Sequence, residues 1–202
     1  MVVFDVVGTL VEPWPPVAEA YAAAGRRHGS VVEVPEIHRR FRQAWRRQEL
    51  IDAAAVPAFT TNRAREVERW REIVADVFHD PGRTDSIFSD LWDHFGRPDA
   101  WRPLLAGSEL MRAAIASGAT VALASNFDER LFSIAPAIPP LSWAERVFAS
   151  SEIGWRKPAP EFFRWIENRL GVAPAELLLV GDDPDLDVAA ARAAGWRTVR
   201  VG

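Results

Sequence analysis

Met1-Val-Val-Phe-Asp5-Val-Val-Gly8-Thr9-Leu10 opens the chain with a short β-branched apolar run that carries a carboxylate and turns at Gly8-Thr9. A run of this kind, bounded by turn residues, reads as a buried strand. The arrangement returns in Val121-Ala-Leu-Ala-Ser125-Asn126 and in Leu177-Leu-Leu-Val-Gly181-Asp182-Asp183-Pro-Asp-Leu-Asp187, with Arg156-Lys157-Pro158 between them. In a parallel α/β sheet, ligands bind in the crevice beyond the carboxyl ends of the strands. Polar residues following three separate strands therefore converge there. They would supply a nucleophile, a cation and metal ligands.

Working outward, Pro13, Pro15 and Pro16 break the first segment, and the character then changes. Stretches 17–28, 35–55, 62–79 and 85–95 are Ala-rich or Arg/Glu-rich with helical spacing; only 31–34 looks strand-like. Trp45, Trp70 and Trp92 are expected to face a core. After Gly96-Arg-Pro98, helix and strand alternate: helices at 108–117, 129–134, 160–170 and 185–194, strands at 120–124, 147–149, 177–180 and 197–201. Alternation of this kind implies a parallel sheet with right-handed crossovers. The expected architecture is an α/β, Rossmann-like core from residues 1–12 and 97–202, with an all-helical insertion at 13–96.

The 202 residues suit one domain, or a core plus a small insertion. Their 49% hydrophobic and 26% charged content is that of a globular protein. A formal net charge of -4 gives no reason to expect nucleic acid as a partner, and the arginines of 39–47 read as a helix surface. The absence of cysteine excludes disulfides and thiolate chemistry and fits a reducing, cytoplasmic setting. No apolar run approaches the roughly 18 residues of a membrane span. Asp5 interrupts an N-terminal run with no basic region before it, so a signal peptide is not expected. Nothing specifies an oligomeric state, and the nine tryptophans suit either a core or an interface.

Each motif has a chemical and a plainer reading. Asp5 is placed to attack an electrophile, or to cap the turn after its strand. Ser125 and Asn126 offer hydrogen-bond donors to a phosphoryl or carboxylate oxygen, while Asn126 equally suits a helix cap. Lys157 sits in a proline-restricted segment that aims one ammonium, yet an isolated lysine is usually exposed. The acids 182, 183, 185 and 187 repel one another unless solvated or bound to a cation. Such oxygen ligands suit Mg²⁺, although acids also favour a helix N-terminus.

Taken in order, Asp5, Ser125, Lys157 and the Asp182/Asp187 cluster resemble the haloacid dehalogenase superfamily of hydrolases across the whole chain. The helical insertion resembles that family's small cap domain, which closes over the site and selects substrate. The resemblance implies that Asp5 is the nucleophile and forms an aspartyl-phosphate. It implies Mg²⁺ bound by Asp5, the main-chain carbonyl of Val7 and Asp182, with Asp183 or Asp187 completing or orienting the shell. Thr9, Ser125, Asn126 and Lys157 would bind the substrate, a small phosphorylated molecule.

One position departs from the pattern. Phosphatases of this family carry a second aspartate two residues after the nucleophile, where this chain has Val7. General acid–base catalysis is typically worth about 10²–10⁴-fold, so alkyl phosphates should suffer by that order and acyl or aryl phosphates less. Three readings follow: a Mg²⁺-dependent phosphatase, slow or specialised; a 2-haloacid dehalogenase, whose halide needs no proton but whose branch lacks the acidic cluster; or a binding protein on a retired catalytic fold. The first accounts for the retained acids and is the expectation here. His28, His38, His79 and His94 all lie in the insertion; each reads as a partly exposed helix residue, the alternative being a proton carrier that reaches the site on closure.

Overall fold

The computed structural model describes residues 1–202. Strand β1 (Val2–Phe4) leads through β2 (Val11–Pro13) to four helices, α1 (Val17–Arg27), α2 (Val34–Ala54), α3 (Arg63–Phe78) and α4 (Thr84–Phe95). The chain returns through β3 (Trp101–Pro103) to α5 (Leu105–Ala116), β4 (Val121–Ser125) and α6 (Arg130–Ile134). Next come β5 (Arg146–Ala149), α7 (Ser150–Ile153), α8 (Pro160–Leu170) and β6 (Leu178–Gly181). A π-helical turn (Pro184–Ala189), α9 (Ala190–Ala193) and β7 (Arg197–Arg200) complete it.

Five strands form one parallel sheet in the order β5-β4-β1-β6-β7. The chain builds outward from β1 through β4 and β5, then crosses back to β6 on the other side of β1. That reversal puts the crevice beyond the end of β1, where ligands bind in open α/β sheets. Both faces of the sheet are covered, which is why its strands read as continuous apolar runs rather than alternating ones. Successive residues still point to opposite faces. Val3 packs with Ala122, Leu179 and Phe162, and Phe4 with Leu123, Val180 and Met111.

Helices α1 to α4 bury a third apolar cluster of their own, including Tyr21, Ile37, Ile73, Val77 and Leu91. The helical segment thus has an independent core. Its two connections to the sheet, β2 and β3, pair antiparallel with Glu12 opposite Arg102. These three-residue strands are too short to carry a periodic signal, and the sequence reading passed over them.

Several expectations are corrected. The stretch 31–34 forms no strand: Val31 is 89% exposed, and Val34 begins α2 with Pro35 in its first turn, where a proline costs no hydrogen bond. Trp45 and Trp70 pack against the buried cluster of the helices, as expected, while all three tryptophans are only half-buried and line a cavity between helices and sheet. The helix expected over 185–194 starts as the π-helical turn. No helix is long and apolar enough to cross a membrane.

Helix α5 presses its Gly107 onto the main chain of the loop after β1, where a Cβ would fall on the carbonyl oxygen of Thr9. Neither neighbour is a flexible side-chain end. Gly107→Ala should therefore lower stability by roughly 1–3 kcal/mol, the usual cost of forcing extra volume into a packed site. The urea midpoint, compared with that of the exposed Gly82→Ala, checks this.

Candidate active site

Asp5 follows β1 directly, and its amide still bonds to Val180, so the sheet ladder fixes its backbone. One of its carboxylate oxygens, Oδ1, accepts from Lys157 Nζ at 2.7 Å and from Ser125 Oγ at 3.0 Å. Ser125 ends the neighbouring strand β4. Lys157 is itself buried, and Nζ also donates to Asp187 Oδ1 at 2.5 Å and approaches the carbonyl of Ala124 at 3.5 Å. All three ammonium protons are thereby directed.

Asp182 stands on the far side of Asp5, beyond β6. Its carboxylate packs against Gly8, whose φ of +91° and missing side chain leave the space for it. Carboxylate oxygens of Asp5, Asp182 and Asp187 all lie within 4.8 Å of one another. Burial raises Asp5 to about 6, against the pull of Lys157 and with added repulsion from Asp187 and Asp182. Burial also lifts Asp182 above the usual carboxylate range, opposed by its bond from Thr9 and aided by the charge of Asp187. For Lys157, burial acts downward, but Asp5 and Asp187 outweigh it and hold the ammonium above its ordinary value. One ammonium thus serves three carboxylates, and these hard oxygen donors fit a small divalent cation.

The structure brings the expected residues together but divides the work differently among four of them. Thr9 is completely buried and donates from Oγ1 to Asp182 at 2.8 Å, so it aims a carboxylate and does not reach the cavity. Asn126 spends its amide on the Lys157 main chain, accepting from its N–H at 2.8 Å and donating to its carbonyl at 3.0 Å. Asp183 caps the turn that follows, its Oδ1 accepting from the amides of Asp185 and Leu186. Asp187 has both oxygens engaged, one by Lys157 and the other by the Asp183 amide at 3.1 Å. None of the four histidines lines the cavity above Asp5, and His28 instead pairs with Asp90 at 3.0 Å. A histidine proton shuttle is therefore not available in this arrangement.

Arg156, next to Lys157, has a role the sequence did not disclose. It is buried and donates to Glu66 of α3 at 2.6 Å, with Asp52 and Glu49 of α2 at 3.6 and 3.8 Å. Asp52 also pairs with Arg65 and Arg69, and Glu66 accepts from Thr61 at 2.7 Å. Three arginines and three carboxylates thus form a buried network joining the lysine segment to the helices above it. Burial and repulsion from Arg156 hold Arg69 below its ordinary value, so the guanidiniums depend on the carboxylates between them. Buried Gln48, Asp52, Glu66 and Arg69 look like surface polar and charged residues in the sequence, because their helices are rich in exposed arginine and glutamate.

With this geometry in view, comparison with known proteins is direct. Residues 1–195 match the haloacid dehalogenase-like hydrolases. The chain belongs to that family. It is 30% identical over 207 residues to the mouse (Mus musculus) haloacid dehalogenase-like hydrolase domain-containing protein 3, spanning 100% of this chain and 81% of that one. A 55-residue stretch, 27% of this chain and 22% of the other, is 49% identical to a phosphoserine phosphatase of Thermus thermophilus. The fold is shared with L-2-haloacid dehalogenase from Xanthobacter autotrophicus at a TM-score of 0.70 and 21% identity, covering 99% of this chain and 76% of that structure.

The buried network carries a prediction of its own. Burial raises Glu66, but Arg156, Thr61 and Arg69 together hold its carboxyl below the ordinary 4.5. A depressed folded-state value means stability that is present above about pH 4.5 and lost as pH falls through that lower value. Glu66→Gln should flatten the acid limb of the stability curve. Glu66→Ala, which leaves buried guanidinium charge uncompensated, should cost roughly 3–5 kcal/mol at neutral pH. Urea titrations of both variants across pH 3–7 measure the two effects.

Proposed function

We propose that this family member is a Mg²⁺-dependent phosphohydrolase, of the phosphoric monoester class, that works through Asp5. The observation carrying this reading is the convergence of Asp5, Ser125, Lys157 and Asp182 on the floor of one cavity, with Asp187 completing the charge cluster beneath them. The stretch shared with a phosphoserine phosphatase supports it. Asp5, Asp182 and the main-chain carbonyl of Val7 would hold Mg²⁺, with Asp187 orienting the group through its own bonds. When bound, the ion supplies positive charge to the phosphoryl oxygens.

An Asp5 oxygen forms a bond to phosphorus as the bond to the leaving oxygen breaks, the electron pair departing with that oxygen. Lys157 holds charge against the transferring group, and Ser125 donates a hydrogen bond on the same side. Phosphoryl transfer needs such positioning and charge neutralisation more than covalent chemistry. Water then attacks phosphorus, and the bond to Asp5 breaks with its pair returning to the carboxylate. Inorganic phosphate keeps the water oxygen and one proton, and the other reaches the leaving group through solvent. Helices α1 to α4 roof the cavity and would act as the cap that selects substrate.

Val7 lines this cavity beside Asp5, and a valine moves no proton. The site therefore favours leaving groups stable as anions. A dehalogenase would share that feature, but it gives no use for Asp182, and the acidic cluster favours phosphate.

Phosphate release from acetyl phosphate and phenyl phosphate tests the reading. Turnover should require Mg²⁺, stop with a chelator, return when the ion is restored, and vanish in Asp5→Asn. Metal-independent halide release from 2-chloropropionate, with no phosphate release, would overturn it for the dehalogenase. Val7→Asp should speed hydrolysis of the alkyl ester glycerol 2-phosphate by about 10²–10⁴-fold, while acetyl phosphate gains far less.

A further inference from the structure

The cavity that begins at Asp5, Ser125 and Lys157 rises between the sheet and helices α1 to α4 and encloses about 530 Å³. Pockets of this order surround whole drug-sized molecules, so a phosphoryl group fills only its floor. Its upper wall is aromatic, built from Phe41, Trp45, Trp70, Phe88, Trp92 and Trp101. Each of these rings is half-buried, turning one surface to the cavity.

The rings are also held in place. Trp45 and Trp70 lie 5.7 Å apart, and the guanidinium of Arg69, tied into the buried network, sits 5.0 Å above Trp45. Arg130 stacks 3.6 Å from the centre of Trp92 while bonded to Asp128 at 2.6 Å. These cations are committed to carboxylates and leave flat, prearranged faces. The exposed Arg42 and Arg46 of α2 also line the cavity. Apart from them the upper wall is aromatic, so a polyol or amino-acid ester would give up hydrogen bonds to water on entering and regain few from the rings. A planar ring would stack on it.

A separate observation points the same way. Val7 lines the same cavity beside Asp5, is 36% exposed, and offers no proton to a departing alkoxide. Phenolates and aromatic carboxylates leave without that help. We infer that the substrate is a phosphorylated aromatic compound, an aryl or aroyl phosphate, whose ring stacks against Trp45 and Trp70. This inference rests on the phosphohydrolase reading above.

Binding of two non-hydrolysable phosphonates in the presence of Mg²⁺ tests it without turnover. By calorimetry, benzylphosphonate should bind about tenfold or more tightly than methylphosphonate, and Trp45→Leu and Trp70→Leu should each remove much of that advantage. In turnover, benzoyl phosphate should exceed acetyl phosphate in kcat/KM by a similar factor, since both release a carboxylate and the two differ by the ring. Running phenyl phosphate beside benzoyl phosphate distinguishes a phenol from a carboxylate as the departing group. Equal binding of the two phosphonates by the wild-type protein would overturn the inference, while Mg²⁺-dependent release from acetyl phosphate would leave the phosphohydrolase reading standing. Binding of neither, with no turnover, would overturn both.

Discussion

The buried ammonium of Lys157, shared between Asp5 and Asp187, is the interaction on which the site depends. Three carboxylates from two strand ends and the turn beyond them crowd within a few ångströms, an arrangement that repels itself without compensating positive charge. Sheet order makes the crowding possible, because β1 and β6 are neighbours across the point where the chain reverses direction. Asn126 then anchors the lysine's main chain, Thr9 aims Asp182, and Asp183 caps the turn that presents Asp187. These polar groups hold the charged ones in place, and Asn126 and Asp183 also line the cavity.

This explains what the sequence disclosed and what it withheld. Strands with both faces buried leave continuous apolar runs, so β1, β4 and β6 were legible, and the polar residues at their ends marked the site. Family membership also emerged from those motifs. The division of labour within the site was not legible: a threonine that orients a carboxylate and one that binds phosphate look identical until distances exist. The pair β2 and β3 was missed because three residues carry no period. Helical spacing puts Trp45 and Trp70 against the core, as found, but does not say that they also line a cavity.

The buried ion network is the clearest limit. Glu66, Arg69 and Asp52 sit on helices whose composition reads as solvated surface, and only tertiary packing brings Arg156 down between them. Buried pairs seldom add net stability over an apolar core, but removing one member is costly. Such a network favours one docking geometry between helices and sheet over its neighbours. Because Arg156 adjoins Lys157, the same contact that seats the helices also fixes the segment bearing the buried ammonium. Arg69 carries the constraint further, to the face of Trp45.

Val7 gains its meaning from these connections. Taken alone, it is an apolar residue two positions after Asp5. In the structure it lines the same cavity as Trp101 and the rings of the helical segment. An aspartate there would place a hydrated carboxylate among groups arranged to exclude water, and would add negative charge beside a cluster already short of cations. A valine there therefore spares the acidic cluster a further negative charge. A ligand whose leaving group needs no proton and whose body is aromatic suits both that valine and the rings around the cavity.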